Sequence, residues 1–419
     1  AGIDTEVWSL NGDHLGPVST HREDGLETAR CMTRESRVDI AVATSWRIDG
    51  TPAAMEPGDT VTITSAMAVA SSNDDVPFGP FERAFDSAES AIEAGYRPAL
   101  EASAAKWAAF WDTADVVIDG DVAAQAALRF SIWHNRIATP AHTDRLPIGA
   151  RGLSCQAYQG AAFWDQEMFN LPAFLHTAPE IARNILIYRW RTLDGARRKA
   201  ARLGYEGAYY AWISGTTGDE LCPDFFFDDV LTGRPIRNHF NVWQMHVSPD
   251  IAVTVDRYWE ATGDDDFVVE HGAEIVFEVA TFLASFVKYV AHRDRYEIIR
   301  LLGPDEWHEN VDNDAYTNRV TELALATALR MHAWMTEHHP TRLAALDAGS
   351  DRVARWQDVH DRLYVPAPDP ATGLIEQFDG FHQLEDTRPA DLDERLLDPD
   401  EYWGWPNGVA VHTQVSKQP

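Results

Sequence analysis

Residues 274–291 read EIVFEVATFLASFVKYVA, an apolar run interrupted at helical rather than alternating spacing. The stretches around it have the same character. RVTELALATALRMHAWMTEHH follows at 319–339, and SPDIAVTVDRYWEATGD precedes it at 248–264. The latter opens on a Ser-Pro-Asp cap and stops at Gly263. Further back, APEIARNILIYRWRTLDGARRKAARLG (178–204) places Pro179 in a first turn and ends at Gly204. DVAAQAALRFSIWHNRIA (121–138) begins on an Asp cap. Several helices of similar length, joined by loops rich in Gly, Asp and aromatics, predict a mainly α fold closed as a helical barrel or toroid. A helical solenoid would carry a fixed repeat, and the chain has none.

Upstream of these helices the pattern changes. Residues 1–85 read as β, with SRVDIAVATSW (36–46) and DTVTITSAMAVASS (59–72) rich in β-branched residues and MEPGD (55–59) as a turn between them. Two to four strands fit there, as the C-terminal part of a β-sandwich. Residues 86–120 are Ala- and Glu-rich, which predicts a helical linker interrupted at Pro98, then a short β piece, VVIDG (116–120). Residues 121–419 form the helical domain. HTQVSKQP (412–419) has no obvious terminal element, so the domain is expected to be incomplete. AGIDTEVWSL at the start shows neither the basic nor the apolar region of a signal peptide.

Composition narrows the partners. A net charge of −31 repels nucleic acid and anionic membrane surfaces. No apolar run approaches the ~20 residues of a membrane helix. Three cysteines, Cys31, Cys155 and Cys222, have neither zinc spacing nor a disulfide framework; free thiols in a reducing, cytoplasmic setting are expected. Fifteen Trp, among them Trp164, Trp243, Trp307, Trp403 and Trp405, stand near carboxylates or Gly. Flat apolar faces beside carboxylates suit sugar rings and their hydroxyls, although Trp also fills large helical cores.

The acids cluster in loops. AAFWDQEMFNLP (161–172) holds Trp164, Asp165 and Glu167. SGTTGDELCPDFFFDD (214–229) holds Asp219, Glu220, Asp224, Asp228 and Asp229. LLGPDEWHENVDNDAYTN (301–318) holds Asp305, Glu306, His308, Glu309, Asp312 and Asp314, and WGWPNG (403–408) lies near the end. Glycoside cleavage needs a carboxylic acid that keeps its proton near neutral pH. In GPDEWHE, a tight Gly-Pro turn, the like charge of Asp305 and the apolar wall of Trp307 would raise the pKa of Glu306. A solvated acidic loop with a helix cap at Asp312 accounts for the same string. Metal binding does not: the EF-hand Gly is missing, and His308-Glu309 lacks a second His four residues on. Neither a Gly-x-Ser-x-Gly elbow nor a phosphate-binding Gly loop is present.

In order along the chain, GARGLS, YQG, FWDQEMF, NLP, GARRKAARLGYEGAYYAWIS, GTTGDEL, SPDIA, RYWEATGD, GPDEWHENVDNDAYTN and KQ together resemble the family 65 glycoside hydrolases. That family includes kojibiose, maltose, nigerose and trehalose phosphorylases and some hydrolases. The resemblance covers about 90–418. It implies an enzyme with an (α/α)6 barrel, here incomplete, behind the tail of an N-terminal β-sandwich, and an inverting mechanism. It also implies Glu306 as general acid, with Glu309 a lesser candidate, and substrate contacts from Trp164, Asp165, Lys417 and Gln418. The expected reaction is phosphorolysis of an α-glucosidic disaccharide to β-glucose 1-phosphate. For a phosphorylase the resemblance implies inorganic phosphate as co-substrate and no cofactor or metal, and it is compatible with a homodimer. An inverting hydrolase and a non-catalytic sugar-binding relic are the alternatives. The chain departs from the family pattern at Ala161, where a His is usual, and at Trp307, where a Tyr is usual.

Overall fold

The computed structural model describes residues 15–34, 36–50, 58–74, 77–154, 158, 160–228, 232–395 and 410–417. Cys155, Asp229, Trp403, Trp405, the WGWPNG string and Gln418 lie outside these residues, as does the N-terminal decapeptide. The chain divides into two compact units, residues 10–133 and 134–419, apart from the first nine residues.

The first unit is built on a four-stranded antiparallel sheet in the order β1 (Ser19–Glu23), β2 (Leu26–Met32), β3 (Asp39–Asp49) and β4 (Thr62–Ser71). The strand alternation decides its faces. Ala41 and Ala43 of β3 and Ala70 of β4 point one way and meet Ala84 and Ala88 of helix α1 (Pro80–Ala94). Small residues on both sides let the helix lie close, and the Ser45 hydroxyl donates to Glu89 of the same helix. The alternate residues Ile63, Met67 and Val69 are exposed.

Two details here differ from the sequence reading. The helical stretch breaks at Gly95 (φ 81°), not at Pro98, which sits in the first turn of α2 (Tyr96–Ala114) where a proline costs nothing. VVIDG forms no strand, because the Gln125 side-chain amide occupies its backbone, accepting from Ile118 N (2.6 Å) and donating to Val116 O (2.9 Å). Asp121 caps α3 (Val122–Ala138) as expected, accepting from Ala124 N at 2.9 Å.

The second unit is helical. Its longer helices are α4 (Leu171–Thr177), α5 (Pro179–Arg191), α6 (Leu193–Leu203), α7 (Val247–Thr262), α8 (Ala273–Phe286), α9 (Ala315–His338) and α10 (Ser350–Arg362). Helices α7, α8 and α9 pack on one another and carry much of a large core; Ile251, Val255, Ile275, Val276, Val279, Phe282, Ala324, Leu325 and Ala328 in it are essentially inaccessible. Helices α6 and α7 end where read, at Gly204 (φ 84°) and Gly263 (φ 66°). The start of α7 differs. His246 is its N-cap, and Ser248, Pro249 and Asp250 lie inside the first turn. Among the described residues, no helix is long and apolar enough to cross a membrane.

Short hairpins connect the helices. β5 (Phe225–Asp228) pairs with β6 (Pro235–Arg237), β7 (Lys288–Val290) with β8 (Arg295–Glu297), and β9 (Leu301–Leu302) with β10 (Glu309–Val311). The β9–β10 turn holds GPDEWH, so its two ends are fixed by backbone pairing between Leu302 and Glu309.

Candidate functional site

Asp305 organises the β9–β10 turn. It is 4% exposed and accepts four hydrogen bonds. Oδ2 takes His308 Nδ1 (2.5 Å) and Gln377 Nε2 (2.8 Å); Oδ1 takes the backbone N–H groups of Trp307 (3.1 Å) and Lys417 (3.0 Å). Burial alone would raise its pKa, but these donors outweigh burial and hold it below the ordinary aspartate value. His308 donates its other ring nitrogen to the Thr413 carbonyl (2.8 Å). Burial disfavours its charge; Asp305 and that carbonyl overcome the burial and raise its pKa. The Trp307 ring packs on Leu392, Ala410 and Val415. The turn thereby clamps the segment 410–417 in place.

The clamp brings together residues far apart in sequence. The Lys417 ammonium sits against the Glu306 carboxyl. Glu306 is 14% exposed, and burial pushes its pKa up against the pull of Lys417. The pKa of Asp165 is also raised, by burial and then, among the charges, by Glu306 foremost. Glu306, Asp165 and Lys417 therefore form one cluster. Asp305 contributes only weakly to the shift of Glu306, and Trp307 spends its ring on the clamp.

The loop carrying Trp164 and Asp165 is held from below. It runs into a π-helical turn (Gln166–Asn170) that opens α4. Glu167, expected among the loop acids, is fully buried and receives Arg189 of α5 through two bonds of 2.7 Å, while Arg189 also donates to Phe163 O (3.0 Å). Trp164 lies edge-on to His246, with ring centroids 4.7 Å apart, and to Tyr316 at 6.0 Å.

His246 was not among the residues picked from the sequence. It is inaccessible, donates Nδ1 to Asp250 Oδ2 (2.9 Å), and has no partner for Nε2 among the described residues. Tyr316 donates to the other oxygen of Asp250 (2.7 Å). A His followed four residues later by an Asp, across a helix start, was the available signal.

Five of the other described acids are taken by structural partners. Glu220 pairs with Lys199 at 2.7 Å inside the core and accepts from the backbone of Trp212, Ile213 and Cys222. Asp219 meets Arg198, and Asp224 meets Arg237 and Asn241. The cap of α9 is Asp314, accepting from Thr317 N at 2.8 Å; Asp312 instead receives Arg300 N. Ala161 is buried, and Cys31 and Cys222 are free thiols.

The model of the glycosyl hydrolase family 65 central catalytic domain matches residues 129–419. The chain is 49% identical to a 1,2-alpha-glucosylglycerol phosphorylase of Bacillus selenitireducens, covering 100% of this chain and 56% of that protein. It is 40% identical to a nigerose phosphorylase of Lachnoclostridium phytofermentans (85% and 48% covered). It is 38% identical to a kojibiose phosphorylase of Caldanaerobacter subterraneus subsp. tengcongensis (78% and 42%). A solved structure described as "Putative kojibiose phosphorylase from human microbiome" superposes with a TM-score of 0.78 at 20% identity, over 96% of this chain and 54% of that one. That likeness shows the fold, an antiparallel sheet followed along the chain by a helical barrel. The chain spans about half the length of the relatives it matches.

Proposed function

We propose, from the premise that the chain belongs to glycosyl hydrolase family 65, that it carries the acid half of an inverting α-glucoside phosphorylase. The observation that carries this reading is the Glu306 carboxyl, largely buried against the Lys417 ammonium, with its pKa raised and its charge felt by Asp165. A carboxyl whose pKa is raised by burial is suited to carry a proton to a leaving glycosidic oxygen. Asp165 and the Trp164 face take the glucosyl unit, Asp165 through hydroxyl hydrogen bonds and Trp164 through C–H contact. Inorganic phosphate attacks the anomeric carbon from the opposite face while Glu306 protonates the departing oxygen. The products are β-glucose 1-phosphate and a free acceptor. Because phosphate is itself the nucleophile, no second carboxylate has to activate water.

The pH dependence follows from the charges. Lys417 opposes the rise in the Glu306 pKa. Replacing it (Lys417→Met) removes that opposition, so Glu306 holds its proton to higher pH. The alkaline limb of kcat/KM, where the acid is lost, is expected to move upward in pH. An unmoved or lowered limb would mean that Lys417 does not act on Glu306.

The reaction itself is tested on the full chain with α-linked glucosides, 2-O-α-glucosylglycerol, kojibiose, nigerose, maltose and trehalose, each with and without phosphate. Glucose 1-phosphate formed from one of them only when phosphate is present is the expected result. Free glucose released at the same rate without phosphate would make the enzyme a hydrolase.

A further inference from the structure

A neutral imidazole has one donor and one acceptor nitrogen; an imidazolium has two donors. The surroundings of His308 call for the second form. Its Nδ1 lies 2.5 Å from Asp305 Oδ2, and its Nε2 lies 2.8 Å from the Thr413 carbonyl. A carbonyl can only accept. Asp305 is committed to accepting as well, because Gln377 Nε2 and the backbone N–H groups of Trp307 and Lys417 all donate to it. A neutral ring would therefore turn a lone pair on one of these two oxygens. The ring is 1% exposed and walled by Phe378 and Phe381, with centroids at 5.2 and 5.9 Å, so the lost bond would be costly.

Asp305 is the ionisable group in contact with the ring. Elsewhere in the hairpin, Glu306 meets Lys417, and Glu309 makes neither a hydrogen bond nor an ion pair with His308. On the segment that carries the two Phe rings, Glu376 accepts from the backbone of Gly380 and His382, and Asp379 accepts from Asn313. His382 and His412 are exposed.

The position of Lys417 hangs on this ring. Asp305 holds the Lys417 backbone N–H, and Gln377 passes from Asp305 to the Ser416 hydroxyl, which donates to Gln377 Oε1 at 3.0 Å. His308 joins the same carboxylate to Thr413, three residues before Ser416. The Lys417 ammonium at the end of this chain of bonds rests on Glu306.

We propose that His308 is a positioning residue that works as an imidazolium: its two N–H groups tie Asp305 to the Thr413 carbonyl and so keep Lys417 on Glu306, and loss of one ring proton loosens this segment and withdraws Lys417. The consequence for turnover rests on the phosphorolytic reading; the clamp itself does not. The direction with pH is fixed. Asp305 and the Thr413 carbonyl raise the pKa of His308 against burial, so the clamp is complete below the ordinary histidine value of 6.5 and is lost as pH rises through the higher native value.

Hydrogen exchange on the full chain reads the clamp without substrate, as the protection of peptides covering residues 410–417 relative to the unstructured rate at each pH. In the wild type, protection is expected to fall by about tenfold or more as His308 loses its proton, the worth of a hydrogen bond to a charged group. His308→Gln places an uncharged amide nitrogen near the Nε2 position, and is expected to show lower protection without the pH step. Level wild-type protection as pH rises from the ordinary histidine value into the alkaline range, or the same step in the variant, would overturn the proposal; the wild-type titration decides even where the variant fails to fold. In turnover, the glucoside KM should rise across the same step in the wild type and be raised and level in His308→Gln. A step in protection with none in KM would overturn the role of the clamp in the reaction. A wild-type chain that shows the protection step but phosphorolyses no glucoside would remove the phosphorolytic reading and support the clamp alone.

Discussion

Glu306→Gln is expected to lower kcat for a natural α-glucoside by about 10²–10⁴-fold, the usual contribution of a general acid. The amide keeps the size and the hydrogen-bonding shape of the side chain but has no proton to give. The glucoside KM should change little, because the proposed glucosyl contacts belong to Trp164 and Asp165. Such a pattern is that of an interaction made in the transition state. A second substrate separates this role from mere packing. α-Glucosyl fluoride carries a leaving group that departs without protonation, so the variant should retain most of its phosphorolysis of the fluoride. Equal loss on both substrates would assign Glu306 a structural role.

Glu167→Ala is expected to destabilise the helical unit by about 3–5 kcal/mol, the loss typical when one partner of a buried pair is removed. Arg189 and Glu167 are both fully inaccessible. The truncation strands a guanidinium that has only Phe163 O left as a hydrogen-bonding partner among the bonds described. Urea unfolding should show a lower midpoint at unchanged slope. The double variant Glu167→Met/Arg189→Met should recover most of the loss, since no charge is then buried alone. A single-variant loss below about 1 kcal/mol would show that water or a rearranged side chain relieves Arg189. Because the pair anchors the Phe163–Glu167 turn, the same variant should also raise the glucoside KM through a displaced Asp165.

The helical unit was legible because its signals are local. Pro179 in a first turn, and Gly204 and Gly263 in the left-handed conformation, mark boundaries by backbone sterics alone. Where tertiary partners compete, local signals misled. Asp250 looked like part of a cap, yet its side chain is taken by His246 and Tyr316, and α7 begins before it. Asp312 and Asp314 are chemically alike and two residues apart; which one caps α9 depends on Arg300 N claiming the former. Val116 and Val117 have β propensity, but Gln125 occupies the backbone around them.

The candidate site was legible in part for the same reason. Three of its named residues, Glu306, Asp165 and Lys417, are brought together, but only through a clamp in which Asp305 and His308 reach Lys417 N and Thr413 O across more than a hundred residues. No spacing rule encodes that closure. Nor could composition separate the acids of the site from those spent on Lys199, Arg189 or Arg198, since each of those partners lies about twenty residues away on another element. His246 escaped notice because a buried histidine at a helix start is an ordinary sight until its neighbours Trp164 and Asp250 are seen.

The configuration of the sugar phosphate as it first forms tests the inverting, acid-assisted account most directly. Proton NMR on the full chain turning over its best α-glucoside in phosphate should show the β anomer of glucose 1-phosphate appearing in step with the free acceptor. The α anomer as first product would require a second displacement or attack on the same face, and would contradict a mechanism in which Glu306 acts only as acid.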